Sequence, residues 1–314
     1  MPIDHLLFRP FNPEQDIPCL LRLRLAVEAV DQEGADNSEE NLRAQLASPG
    51  HDPARDRTVA LHPADPDTLV GYNLVWLPPG EEIAHANLVV HPDWRRQGIG
   101  SALLAQALEH LRQLGATQVN VYAHQAHPAA DPFLRKHSFQ PAGAYTEMRA
   151  PGDGRLPPVV WPYGYQVRPY TAVQDLAILT QVFNECYQDL PGHHPVTPEQ
   201  MAEYLTGFTP EGLFLVFSEK NRPVGVSRAE ISPERSAKNG LPTGYIDSPG
   251  IYSPHRRLDL YRALLLTGMK YLQAQGAALI ELESWGDKQE VLRSYFDLGF
   301  HIIRQVVTYQ RKVN

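Results

Sequence analysis

The chain has 314 residues, 43% of them apolar, enough for two ordinary domains that each bury a core of their own. A formal charge of −8 argues against a nucleic-acid partner and favours neutral or cationic small ligands. Two cysteines, Cys19 and Cys186, give neither a disulfide framework nor a C-x-x-C metal pattern; no run of eighteen apolar residues offers a membrane span, residues 1–11 lack a basic segment followed by an apolar one, and a soluble cytoplasmic protein is expected.

In chain order, residues 14–30 and 38–47 read as helices, the second with Ser38 as its N-cap. The acidic residues around them, Asp31, Glu33, Asp36, Glu39 and Glu40, read as a solvated helix face. After a loop at 49–57, residues 57–61, 68–76 and 83–90 are short apolar or alternating runs bounded by Pro, Gly and Asp, and read as strands. Their short connections make them antiparallel. A helix follows from about Ile99 to Leu114, with Leu103, Leu104, Leu108, Leu111 and Leu114 on one face and Gly115 ending it. Residues 119–123 are the next strand. Strand, Gly-containing turn, helix and strand make a βαβ unit, so 83–90 and 119–123 are expected to be parallel neighbours with a right-handed crossover.

The second half repeats the first. Arg9-Pro10-Phe11 recurs as Arg168-Pro169-Tyr170, Val70-Gly71 as Val224-Gly225, and Pro92 as Pro254. Leu111 with Gly115-Ala116 recurs as Leu272 with Gly276-Ala277, and Ser138-Phe139 as Gly299-Phe300. The near-constant spacing marks a tandem duplication. Between the copies, APGDGRLPPVVWP has the Pro and Gly content of an extended linker, which sets domains at 1–150 and 163–314 with a linker at 151–162.

The stretch RRQGIGSALL joins a strand to a helix. Glycine lets such a turn bend and lets a ligand approach without a Cβ in the way, while the helix N-terminus presents N–H groups and a positive dipole end, together a seat for phosphate. Residues 88–104, LVVHPDWRRQGIGSALL, resemble the acetyl-CoA motif R/Q-x-x-G-x-G/A of the GCN5-related N-acetyltransferase (GNAT) superfamily, with Arg95, Gly98 and Gly100 at the motif positions. The resemblance runs through both halves to the closing Ser-Phe and Gly-Phe.

It implies an α/β fold class of two tandem GNAT domains, each a mixed, mostly antiparallel sheet with one splayed parallel pair and flanking helices. It also implies acetyl-CoA as co-substrate, with no metal. The pyrophosphate would sit on Arg95, Arg96, Gln97, Gly98, Ile99, Gly100 and Ser101, with the pantetheine arm along Leu88, Val89 and Val90 as an added strand would lie. Arg95 or Arg96 can also meet a phosphate by side chain. The acceptor would be a primary amine of a small molecule or peptide, attacked directly on a monomer or homodimer.

Direct transfer needs a base for the ammonium and a donor for the thioester carbonyl. Family members often carry a Tyr acid in a Y-x-x-L-G-F pattern, but FLRKHSF places Leu134 there, so that acid is absent. Base candidates are Glu82, His85 and Tyr122; His85 has the best intrinsic pKa, and Tyr122 competes with a core-packing role. His124 and His127 read as loop histidines rather than metal ligands.

The C-terminal half inverts the pattern. EVLRSYFDLGF keeps Tyr295 in the Tyr position, and Glu283 lies on the preceding strand where some relatives keep a base. Its turn, SPHRRLDLYRALL, lacks the glycines: aligning Pro254 with Pro92 puts Leu260 at the Gly98 position and Arg262 at Gly100. That reads as a lost cofactor site, against an alternative in which Arg256, Arg257 and Arg262 hold phosphates in a widened turn. Three functions remain open: transfer by the N-terminal half, transfer by Glu283 and Tyr295 as in mycothiol synthase-like tandem enzymes, or acyl-CoA binding without turnover.

Overall fold

The computed structural model describes residues 6–34, 36–189, 194–207, 209–247, 249–286 and 289–313, so residues 1–5 of the N-terminal stretch read above lie outside the described residues. Contacts divide the chain into two compact units, Met1–Gly143 with Val306–Asn314, and Ala144–Gln305.

In the first unit, β1 (Phe8–Pro10) leads into α1 (Pro13–Asp31), started by Asn12, whose side chain accepts from the Glu14 N–H. Helix α2 (Glu39–Leu46) is capped by Ser38 as expected, and the loop before the first long strand contains a short helix, α3 (Pro53–Asp56). Then come β2 (Arg57–His62), β3 (Asp65–Trp76), β4 (Ile83–Val90), α4 (Ile99–Gln113), β5 (Gln118–His124) and α5 (Ala130–Lys136). Strands β1 to β4 are antiparallel in sequence, and β4 pairs parallel with β5, as the βαβ reading expects. One sheet face packs on α1 and α2 through Leu20, Leu23 and Leu42 against Val59 and Tyr72. The other packs on α4 through Leu104, Leu108 and Leu111 against Val119, Val121 and Phe139.

The last strand of this sheet comes from the far end of the chain. Residues 306–312 of β13 (His301–Lys312) pair antiparallel with β5, from Val306 opposite His124 to Lys312 opposite Gln118.

The second unit has the same plan. It contains part of β6 (Gln140–Pro151), then β7 (Tyr165–Pro169), α6 (Leu176–Tyr187), α7 (Pro198–Thr206), β8 (Leu213–Ser218) and β9 (Pro223–Ile231). An additional helix, α8 (Pro233–Asn239), precedes β10 (Thr243–Ile246) and the two-residue β11 (Gly250–Ile251). The unit continues with α9 (Leu258–Ala274), β12 (Leu279–Trp285) and α10 (Gln289–Phe296). Here β10 and β12 are the parallel pair, and the strand flanking β12 is β6, from Tyr145 opposite Trp285 to Pro151 opposite Leu279.

Each sheet is therefore closed by a strand from the other half of the chain, and the contact-based division departs from the linear one at both ends of the second unit. Ala150, the first residue of the Pro-rich stretch, is fully buried opposite Ile280. The rest of the stretch turns at residues 152–154 and then runs without helix or strand, and it lies on the second unit: Gly152 N–H donates to Ala278 O at 2.8 Å, and Leu156, Val159 and Trp161 pack on its core.

Candidate active site

Strands β4 and β5 stay in register from Ile83 opposite Gln118 to Ala86 opposite Val121, where the ladder ends. Beyond it, Leu88, Val89 and Val90 keep β3 on one side, opposite Asn73, Tyr72 and Gly71. Their other edge faces the opening between the parallel strands, so its backbone groups are available to an extended amide chain. Leu88 and Val90 pack on the α4 side and Val89 on the α1 side, as strand alternation requires.

Residues 95–98 turn the chain into α4. Arg96 and Gly98 have φ of +63° and +90°, and Gly98 is the N-cap of α4. A side chain at Gly98 would be strained whatever the surrounding space. Gly100 is different: a Cβ there would lie at ordinary contact distance, 3.4 Å from Phe133 and 3.7 Å from Val90, so the fold itself does not require glycine at that position. Ile99 is buried, Gln97 Nε2 donates to Asp93 O at 3.4 Å, and among the described residues no side chain caps α4. The first-turn N–H groups and the bare Gly100 suit a pyrophosphate.

The Arg95 side chain turns away from this spot. Its NH1 and NH2 donate to Asp31 Oδ1 and Oδ2 at 2.8 and 2.6 Å, and its Nε donates to Val90 O at 3.2 Å. Asp31 is thus an anchor rather than part of a solvated face, and His127 Nε2 lies 3.4 Å from its Oδ2. His127 Nδ1 accepts from Ala129 N, and His124 Nδ1 from Ala126 N, the local turns expected of loop histidines.

His85 and Tyr122 meet on the α1 side of the splay. The Tyr122 hydroxyl is 2.9 Å from His85 Nδ1, their rings are nearly parallel at 5.8 Å, and Trp76 covers the other side of His85 at 5.8 Å. Tyr122 is 50% exposed, which corrects the core-packing alternative. Burial lowers the His85 pKa despite the opposing charge of Glu81, and burial raises that of Tyr122 despite a hydrogen bond with Asn120. Neutral imidazole and neutral phenol then coexist near pH 7. Glu82 lies before the parallel ladder, its carbonyl accepting from Thr117 N–H, and is not brought to this pair. Leu134, in the position of the absent Tyr acid, is buried in the core.

In the second unit, Tyr245 and Glu281 occupy the register of His85 and Asn120, so Glu283 stands where Tyr122 does. Arg235, from α8, covers it. Its guanidinium lies 4.2 Å from the Tyr245 ring centroid, donates to Glu281 Oε2 at 2.8 Å, and also bonds Glu283. Tyr295 is 1% exposed within the core, edge-on to Phe300.

The second turn is shorter, not merely substituted. Arg256 repeats the Arg95 contacts, gripping Asp189 and donating Nε to Ile251 O at 2.9 Å. Helix α9 begins at Leu258, two residues after Arg256, whereas α4 begins at Ile99, four after Arg95. By helix position Arg257 replaces Gly98 and buried Leu260 replaces Ser101, which corrects the proline-anchored alignment. Of the three arginines of the widened-turn alternative, Arg256 is held by Asp189, and Arg257 by Asp259 at 2.7 and 2.8 Å.

Among the described residues no group of three or more His, Cys, Asp or Glu is placed to hold a metal, and no helix is long and apolar enough to cross a membrane.

Comparison with known proteins gives the same picture. Residues 57–141 match the family model described as an acetyltransferase (GNAT) domain. Mycothiol acetyltransferase of Rhodococcus opacus is 30% identical over 252 residues, 79% of this chain and 81% of the relative. That of Rhodococcus erythropolis is 28% identical over 276 residues, 86% and 90% of the two chains. Among solved structures, a GCN5-related N-acetyltransferase from Sphaerobacter thermophilus has a TM-score of 0.64 at 21% identity, covering 100% of this chain and 98% of that one. A tandem GNAT protein from the clavulanic acid biosynthesis pathway has a TM-score of 0.56 at 17% identity, covering 98% and 99%. At such identities these structures speak for the fold alone.

Proposed function

Because this chain belongs to the GCN5-related N-acetyltransferase superfamily as a tandem, two-domain member, and is an acetyltransferase that draws on acetyl-CoA, we propose that the first unit alone holds acetyl-CoA and transfers its acetyl group to a primary amine of a small molecule or peptide. The observation that carries this reading is the difference between the turns. Gly98 at φ +90° opens a four-residue step into α4, and the second unit has lost two residues of that step.

In this reading the pyrophosphate rests on the backbone of residues 96–101, and the pantetheine arm extends the sheet along Leu88 to Val90. The thioester carbonyl then lies in the splay, where a strand N–H polarises it. The acceptor nitrogen arrives from the α1 side. As the amine loses a proton to the Tyr122 oxygen, the tyrosine's own proton passes to His85 Nδ1. The free amine attacks the carbonyl carbon, and the tetrahedral intermediate collapses to the amide as the C–S bond breaks, its positively charged nitrogen giving up its second proton to the departing coenzyme A thiolate. A thiolate leaves readily, so the buried Leu134 in place of a Tyr acid is no obstacle.

Calorimetric titration of acetyl-CoA into the wild type and Gly98→Trp tests the seat. One site per chain, lost in the variant, supports the reading; a site that survives sends the search to Glu283 and Tyr295. Coenzyme A release with a panel of amines, headed by the mycothiol-type acceptor of the relatives' name, separates turnover from binding alone.

A further inference from the structure

The proposed seat of acetyl-CoA at residues 95–101 has a second wall, and the inference drawn from it rests on that seat. Ser101 is the third residue of α4, and its hydroxyl lies 3.0 Å from His137 Nε2 just beyond α5. The His137 carbonyl accepts from Arg311 NH1 at 2.9 Å, so the strand that closes this sheet also holds the loop. The imidazole packs on Phe133 at 4.7 Å, and Phe133 is the residue that a Cβ on Gly100 would meet. His137 therefore stands beside the first turn of α4, on the side of its bare glycine.

The duplicated half supplies the comparison. By helix position Ser101 corresponds to Leu260, and by the repeat of Ser138-Phe139 as Gly299-Phe300, His137 corresponds to Leu298. Both leucines are buried, at 0% and 7% exposure, in a single core cluster. The unit with the shortened turn thus fills these positions with the apolar pair that packing alone favours. The unit with the glycine turn carries a hydroxyl and an imidazole, which packing does not ask for and a phosphate would use.

We propose that His137, together with Ser101, binds a phosphate group of coenzyme A, His137 as a donor at Nε2, and that this contact makes acetyl-CoA affinity rise as the pH falls. The chemistry suits a pyrophosphate oxygen or the 3′-phosphate equally. Burial, then Lys136 on α5 and Arg311 on β13, hold the His137 pKa of the free protein below its ordinary value. A bound phosphate favours the protonated ring and raises its pKa, so binding takes up a proton; the gain in affinity builds as the pH falls through the higher value of the complex and is complete below the lowered value of the free protein.

The test titrates coenzyme A and dephospho-coenzyme A, which lacks the 3′-phosphate, into the wild type, His137→Leu, His137→Gln and Gly98→Trp at about pH 8 and about pH 5.5. His137→Leu installs the residue of the second unit and is expected to weaken coenzyme A binding by about threefold to tenfold at the higher pH, the value of one hydrogen bond. His137→Gln still donates but cannot titrate, so it should recover most of the affinity at the higher pH and lack the extra tightening at the lower one. Equal losses with both ligands assign the contact to the pyrophosphate, and a loss confined to coenzyme A assigns it to the 3′-phosphate. Wild-type affinity in His137→Leu, or a wild-type pH response in His137→Gln, overturns the proposal. Gly98→Trp keeps the two failures apart: unchanged binding there removes the seat itself, whereas abolished binding beside unaffected His137 variants removes only this contact.

Discussion

Arg95 grips Asp31 with both terminal nitrogens, at 2.8 and 2.6 Å, and Arg256 repeats the grip on Asp189 in the unit whose turn has been shortened. A contact that survives where the glycines do not is architectural. It ties the end of a strand, through the Val90 or Ile251 carbonyl, to the C-terminal end of the unit's first long helix, at its last residue Asp31 or two residues past its end at Asp189. The motif arginine is thus held behind the turn by Asp31 and the Val90 carbonyl.

Asp31→Ala is accordingly expected to lower stability by about 2 kcal/mol, because it strands a partly buried guanidinium, and to weaken acetyl-CoA binding as the turn loosens. Asp189→Ala breaks a more exposed pair, with side chains 32% and 45% accessible, so less than about 1 kcal/mol is expected and acetyl-CoA affinity should not change. Urea denaturation and calorimetry on the two variants check both halves of this contrast.

The stacked His85 and Tyr122 make a prediction about pH. A base works when unprotonated, and burial lowers the His85 pKa, so kcat/KM should rise with pH through a value below about 6.5 and be flat at neutrality. Tyr122→Phe should reduce kcat while the folded protein keeps its acetyl-CoA affinity, and His85→Gln should reduce kcat by about 100-fold or more and flatten the acid limb. An acid limb that persists in His85→Gln would remove His85 from the role.

The glycines of the turn should separate in a stability assay. Gly98→Ala forces a Cβ onto a φ of +90° and is expected to cost about 1–2 kcal/mol. Gly100→Ala meets only ordinary contacts, and the motif R/Q-x-x-G-x-G/A admits alanine there, so its melting curve should match the wild type within about 0.5 kcal/mol and acetyl-CoA binding should persist. Equal destabilisation by both would mean that the fold needs glycine at both positions.

In the second unit, Glu283→Gln should leave turnover intact, and Arg235→Met should cost about 3 kcal/mol by leaving Glu281 and Glu283 under-compensated. Burial pushes the Glu281 pKa up, but hydrogen bonds from Arg235, Arg149 and Asn239 outweigh it and hold the value below the usual one. Its contribution to stability is then complete above about pH 4.5 and is lost as the pH falls through the lowered folded value. Acid titration of the Arg235→Met variant should show a smaller loss over that range than the wild type.

Much of this protein was legible before any coordinate. The helix at 99–113, the antiparallel run into a parallel pair, the Ser38 cap and the duplication all follow from periodicity, glycine placement and recurring residues, because those signals act over a few positions of chain. So does the special character of Gly98, since positive φ is a local property.

What the linear order left open depends on partners far apart in the chain. Which strand closes each sheet was settled only by the pairing of 306–312 with β5 and of 145–151 with β12. The fate of Glu283 rested on a helix inserted some fifty residues earlier, whose Arg235 reaches it across the sheet. A motif arginine is held behind its turn because Asp31 waits 64 positions away, and a histidine in the usual place of a leucine gained meaning only when Ser101 proved to lie 3.0 Å from it. Local chemistry sets which conformations a segment can adopt. Which polar groups share one site is decided by the packing of whole elements, where the need to satisfy every buried charge and donor selects among partners that the sequence by itself leaves equivalent.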